Sequence, residues 1–214
     1  MKKISEIIKG KYLHILAVLL FFAITVVYFK PLLFNKILFQ QDIVSGKNMT
    51  HEINEFRKTE NAEPLWTNSM FSGMPTYQLS TVFPGNLIKF IDNVCTLYLP
   101  HPSGTIFVSF LCFFILLLCL EVKVPLAFFG AIAYGFSSYL YISLAAGHNS
   151  KVAALAYLPA IIGGVYLLLN NKRKTGFLLT MIFMALEFHA NHLQITYYGF
   201  MFIGVIFILY MISA

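Results

Sequence analysis

Six nearly unbroken apolar runs dominate the chain: Tyr12–Phe29, Thr105–Leu120, Pro125–Ala146, Val152–Leu169, Gly176–Phe188 and Gln194–Ser213. None keeps the strict apolar–polar alternation of a half-buried strand, which excludes an outer-membrane barrel. Runs near the roughly 20 residues that cross a hydrocarbon core predict membrane-spanning helices. The first run follows "MKKISEIIKGK" and continues into "YFKPLLFNK" with no small-residue cleavage site, so it reads as an uncleaved anchor. About 75 residues separate it from the second run, and a loop of that length is unusual unless it carries structure or function. Within the loop, "NMTHEINEFRKTE" (48–60) predicts a helix with Thr50 as N-cap and Ile53 and Phe56 as an apolar pair. "GNLIKFIDNVCTLYL" (85–99) sets Leu87, Ile88, Ile91, Val94, Cys95 and Tyr98 at helical spacing, which predicts an amphipathic helix on the membrane surface. Between them, the Gly-, Pro- and aromatic-rich stretch 63–78 predicts an ordered, packed loop.

Composition agrees with lipid as the solvent. Of 214 residues, 58% are hydrophobic and 11% charged, against about 25% charged in soluble domains. Mean hydropathy is +0.75, more apolar surface than a soluble core of this size can hide. The expected fold is an all-α polytopic membrane protein with about six transmembrane helices. It forms a single transmembrane domain over 1–214, with a long first extracytoplasmic loop at 31–104 that carries juxtamembrane amphipathic helices. The chain stops at "YMISA" directly after the last run, which suggests the N-terminal part of a longer protein.

Lys and Arg number 15 against 9 acids. They gather in flanks and short loops, which points to membrane topology and away from nucleic acid. With the N-terminus in the cytoplasm, the loops at 121–124 and 170–175 fall inside, and those at 147–151 and 187–194 outside. The short inside loops then hold Lys123, Lys172, Arg173 and Lys174, and the short outside loops hold Lys151 alone. That is the positive-inside bias. Cys95 in the loop and Cys112 and Cys119 in one run form no disulfide framework and read as structural.

This map sends Asp42, His148, Asn149, Lys151, Glu187, His189, Asn191, His192 and Gln194 to one face from three distant segments. If the fifth span ends at Phe188, its roughly 13 residues make about 20 Å of helix against a core of about 30 Å. Glu187 then sits below the outer interface, where a carboxylate costs about 2.5–3.5 kcal/mol unless it meets water or a partner. The expectation is a wet cavity shared by Asp42 and Glu187, with the chain turning near His189–His192. His189 and His192 at i, i+3 leave a divalent cation open as a cofactor.

"QQDIVSG" (40–46), "PLWTNSMFSGMPTYQ" (64–78), "GHNSKVAALAYLP" (147–159) and "EFHANHLQITYY" (187–198) together resemble the YfhO-type bacterial membrane proteins, within the GT-C superfamily of polytopic glycosyltransferases. The resemblance spans about residues 38–200. It implies transfer of a sugar from a polyprenyl-phosphate carrier to an extracytoplasmic glycan or lipid acceptor, at the bacterial cytoplasmic membrane. It also implies a catalytic acid just after the first span, which Asp42 matches. The neighbours Gln41 and Ile43 depart from the paired acids of some relatives, which puts metal dependence in doubt. On this reading Asp42 is the general base, alone or with Glu187. Arg57, His148 or Lys151 faces the departing phosphate, and Asn149, His189, Asn191 and His192 hold substrate. Trp66 and Tyr77 stack on a sugar or anchor at the interface. A transporter or flippase and a non-catalytic assembly protein are the alternatives.

Overall fold

The computed structural model describes residues 2–34, 36–80 and 85–213. The 31–104 segment is therefore seen except at 35 and 81–84, and the side chains of Lys2, Lys3, Lys9 and Lys11 lie outside the description. The chain is mostly helical, at 76%. Helix α1 (Lys2–Tyr28) carries the first apolar run and leads through a single turn, α2 (Lys30–Leu33), into the long segment. There α3 (Gln41–Met49) and α4 (His51–Glu60) are followed by a two-stranded antiparallel ladder, β1 (Trp66–Thr67) with β2 (Met74–Pro75), and then by α5 (Leu87–Cys95). The remaining helices are α6 (Ser103–Cys119), α7 (Val124–Gly135), α8 (Ser138–Ala146), α9 (Asn149–Leu169), α10 (Arg173–Ala190) and α11 (Leu193–Ser213).

Three stretches are long and apolar enough to cross a membrane: Val124–Ala146, which joins α7 to α8, α9 and α11. Tyr12–Tyr28 and Ser103–Cys119 are apolar but shorter. The fifth run is longer than its hydropathy suggested, because α10 begins at Arg173 and ends at Ala190, 18 residues in all. Arg and Lys are good helix formers, so the basic first turn extends the helix although it ends the apolar run.

The bundle is built on close backbone approach and aromatic packing. Phe21 of α1 stacks on Phe110 of α6 and Phe128 of α7, with ring centroids 5.6 and 5.0 Å apart, and meets Phe114 edge-on. At Gly135, the last residue of α7, a Cβ would lie 2.3 Å from the Phe110 ring, and the chain restarts as α8 after Ser137. Helix α9 lies centrally, against α6 on one side and α10 on the other. Helix α11 leans on α9 through Gly199, where a Cβ would come within 2.8 Å of Leu158. Its Phe202, Val205, Ile208 and Ile212 are exposed, as are Leu16, Leu19 and Val27 of α1. Such faces are compatible with contact to a lipid bilayer and would be aggregation-prone in water.

The long segment is ordered through polar ties. Glu52 of α4 accepts hydrogen bonds from Thr67 Oγ1 and from the Asn68 amide. Arg57 grips Glu63 through two nitrogens, at 3.0 and 2.8 Å, and also reaches Ser80. The helix expected over 48–60 is really two. Thr50 stands between them, but its hydroxyl donates back to the Gly46 carbonyl at 2.9 Å and does not cap α4. Ile53 is buried as expected, whereas its paired Phe56 is exposed.

Candidate functional site

The two ends of the bundle are marked by side-chain pairs. At one end the loops before α7 and α10 meet, with Lys172 Nζ 2.9 Å from Glu121 Oε1. That hydrogen bond lowers the Glu121 carboxyl and raises the Lys172 ammonium from their ordinary pKa values. At the other end the starts of α3 and α9 meet, and the end of α10 meets α5.

Asp42 lies in the first turn of α3, where the helix dipole favours a carboxylate. Its Oδ2 is 2.9 Å from His148 Nε2, and both side chains are about half exposed. The preceding Gln40 is buried and extended. Its amide donates to the Leu144 carbonyl and to Asn149 Oδ1 (2.8 Å), and Asn149 Nδ2 donates back to Gln40 Oε1 at 3.1 Å. These bonds clamp the start of α3 onto the α8–α9 turn. Gly147 makes that turn possible: its φ is +106°, and a Cβ would lie 3.1 Å from Asp42 Cβ and 3.3 Å from the Ile43 nitrogen. Gly147→Val is therefore expected to lower stability by about 1–3 kcal/mol from backbone strain alone. Thermal unfolding in detergent reads that loss.

A cavity of about 230 Å³ opens beside this clamp, lined by Asp92, Thr96, His101, Asn149 and Tyr157 among others. Asn149 thus belongs both to the Gln40 clamp and to the cavity wall. Asp92 is held by a hydrogen bond from the Tyr157 hydroxyl. Helix α5 positions it: Ile88 and Cys95 pack against the core, and Asp92 falls on that stripe at i+4 from Ile88. The amphipathic pattern of 85–99 sets Leu87, Ile88, Ile91, Val94, Cys95 and Tyr98 at helical spacing. In the structure Ile88 and Cys95 turn inward while Leu87, Phe90 and Val94 are exposed. An acid spaced with the inward residues was the signal for this cavity. Asp92, His101 and Tyr157 went unrecognised because an acid in an amphipathic helix reads as solvated and a tyrosine in a span reads as core.

Among the described residues, Asp42 and Glu187 do not line a common cavity. Glu187 is 1% exposed and accepts a hydrogen bond from Thr196 Oγ1 at 2.8 Å. It lines a separate, largely apolar crevice with Leu158, Met184, Phe200 and Ile203. Among the described residues its Oε2 has no hydrogen-bond partner. With 18 residues α10 reaches about 27 Å, longer than the apolar run alone, and Glu187 lies one turn before its end at Ala190. Contacts with neighbouring helices bury its side chain.

The neighbouring polar residues have local tasks. Asn191, at φ +54°, makes the left-handed turn that ends α10. His192 Nδ1 accepts from the Ile195 amide at the start of α11, at 3.3 Å. His189 Nδ1 meets the Asn86 side-chain amide at 3.1 Å, joining α10 to α5. Arg57 is committed to Glu63 and Ser80 and is no free phosphate ligand. Lys151 lies over the Tyr139 ring, 4.6 Å from its centroid. Trp66 is half exposed, donates to Asn68 Oδ1 at 3.2 Å and covers Gly73; Tyr77 is exposed. Among the described residues no three His, Cys, Asp or Glu side chains converge in a way that could hold a metal ion.

Fold and site together define a mostly helical protein, with helices able to cross a membrane and polar side chains gathered at one end of the bundle. Comparison with protein-family models, curated proteins and solved structures returns no match.

Proposed function

We propose that the chain is a GT-C-type membrane glycosyltransferase, moving a sugar from a polyprenyl-phosphate carrier to an extracytoplasmic glycan or lipid acceptor. The observation that carries the reading is the Asp42–His148 pair beside the Gln40–Asn149 clamp, whose Asn149 also lines the cavity holding Asp92 and Tyr157. The acceptor hydroxyl oxygen bonds to the anomeric carbon while its proton passes to the Asp42 carboxylate. The bond from that carbon to the phosphate oxygen breaks, and the lipid phosphate leaves with the electron pair. His148 positions Asp42, and Lys151 supplies positive charge at the same end. Glu187 has no part in this step.

The proposed membrane arrangement has six spans, α1, α6, α7 with α8, α9, α10 and α11, and a cytoplasmic N-terminus. The Glu121–Lys172 end then faces the cytoplasm and the Asp42–His148 end faces outward, in line with the basic inner loops. In a background with the native cysteines replaced, Asp42→Cys, His148→Cys and His189→Cys are expected to react with an impermeant thiol reagent added outside. Lys123→Cys and Lys174→Cys are expected to react only after permeabilisation. The reverse pattern would invert the topology.

The direct test reconstitutes the protein in liposomes with radiolabelled polyprenyl-phosphate sugars and follows release of polyprenyl phosphate. Donor moved across the bilayer without cleavage would favour a flippase. Neither cleavage nor movement would favour an assembly protein.

A further inference from the structure

We propose that the cavity holding Asp92 and Tyr157 is a binding site for the ring of one neutral sugar. Three properties select that class of ligand. First, among the described residues no lysine or arginine lines the cavity, while a carboxylate does. A phosphate or carboxylate ligand would meet repulsion from Asp92 with no cation to offset it. Second, the lining offers both donors and acceptors: the hydroxyls of Thr96, Thr105 and Ser150, the Asn149 amide and the His101 imidazole. Vicinal hydroxyls, each donor and acceptor, suit such a set better than a simple ammonium ion, which only donates. Third, about 230 Å³ is below the roughly 300–1,000 Å³ of sites for drug-sized ligands. It takes one small ring and not an oligomer.

The Asp92–Tyr157 bond preorganises the site. Tyr157 is buried and its hydroxyl donates to Asp92 Oδ1. A carboxylate offers about four acceptor positions, so one bond leaves most of them for ligand hydroxyls. Val108, Ala153 and Ala156 supply an apolar wall for the C–H face of a ring. Through Asn149 the cavity adjoins the Asp42 clamp. That the occupant is the transferred sugar rests on the glycosyltransferase reading; that it is a neutral sugar ring rests on the cavity.

The test is saturation-transfer NMR on the protein in nanodiscs, with glucose, galactose and N-acetylglucosamine as probes. Glucose 6-phosphate and choline serve as charged controls. At least one neutral sugar is expected to receive saturation. Asp92→Asn is expected to weaken its binding roughly ten- to hundredfold, the range for a charge-assisted hydrogen bond. Ser150→Ala at the rim should weaken it less, while Glu121→Gln should leave it unchanged. If Asp92→Asn unfolds, Tyr157→Phe and Thr105→Val give the same readout. Binding unaffected by every cavity variant, or seen only with the sugar phosphate or choline, would overturn the proposal. The two readings separate cleanly. Transfer that dies in Asp42→Asn, with sugar binding indifferent to the cavity, removes the cavity proposal alone. Cavity-dependent binding with Asp42→Asn fully active removes Asp42 as base and leaves the cavity standing.

Discussion

Asp42→Asn is expected to reduce sugar transfer by about 10²–10⁴-fold, the contribution of a positioned general base. Asparagine keeps the size of the side chain, the first turn of α3 and a hydrogen-bond acceptor for His148 Nε2. It removes the group that takes the proton. The loss should fall on kcat, since the Gln40–Asn149 clamp and the Asp92 cavity are untouched. Magnitudes separate this from a structural effect. The Asp42–His148 pair is about half exposed, and such pairs contribute only about 0–1 kcal/mol to stability. The loss of transfer corresponds to about 3–5 kcal/mol of barrier. A variant with unchanged thermal unfolding and collapsed turnover has lost chemistry, not structure. His148→Leu, which removes only the positioning contact, should lose less activity. Glu187→Gln keeps the acceptor for Thr196 and is expected to leave transfer unaltered. Undiminished turnover in Asp42→Asn would end its assignment as the base.

How much of this was legible in the chain depends on which interaction decided each feature. The apolar runs were readable because lipid contact acts on each residue separately, and each run is helical, Pro125–Ala146 as the two helices α7 and α8. The alternation of those runs already sends Asp42, His148 and His189 to one end. Contacts between distant segments were not readable. Nothing in "QQDIVSG" tells that Gln40, rather than Gln41, is buried and bonds Asn149. Glu187 misled because hydropathy measures the length of the apolar run and not the helix, so Arg173 and Lys174 were left out of α10. Asn191 and His192 looked like ligands by composition, yet a sharp turn between two helices needs a residue that tolerates positive φ and a group to cap the next helix. Asp92 was concealed by the opposite error: an acid among lysine and asparagine on a surface helix reads as solvated, and only its register with Ile88 and Cys95 places it inward.

Gly164→Val is expected to be the most damaging change away from the site, lowering stability by about 3 kcal/mol or more. Helices α9 and α10 touch backbone to backbone where Gly164 faces Gly176. A Cβ on Gly164 would lie 2.4 Å from Thr180 Oγ1, 2.8 Å from the Thr180 nitrogen and 3.1 Å from the Gly176 carbonyl oxygen. A Cβ on Gly176 would lie 2.7 Å from the Leu168 nitrogen and 2.8 Å from the Gly164 carbonyl oxygen. Most of these obstacles are main-chain atoms, so no rotamer change relieves them and the helices must separate. Separation is costly in lipid, where close packing of small residues replaces the hydrophobic drive between helices. Overpacking of about one methyl costs about 1–3 kcal/mol in a well-packed interior, so Gly164→Ala should fall in that range and Gly164→Val beyond it. Gly164→Ala and Gly176→Ala strain the same contact, and their effects should combine less than additively. Gly204 on α11 is the control, with nothing within 4 Å of its Cβ position. There alanine should be neutral or stabilising by up to about 1 kcal/mol, the helix-propensity difference from glycine. Thermal unfolding in detergent reads all four variants. Opposite signs at Gly164 and Gly204 would tie the cost to interhelical contact and not to the loss of a glycine as such. A Gly164→Val protein as stable as the parent would mean that α9 and α10 do not meet at this register. The helix ends carrying Asn149 and His189 would then lose the contact that fixes their spacing.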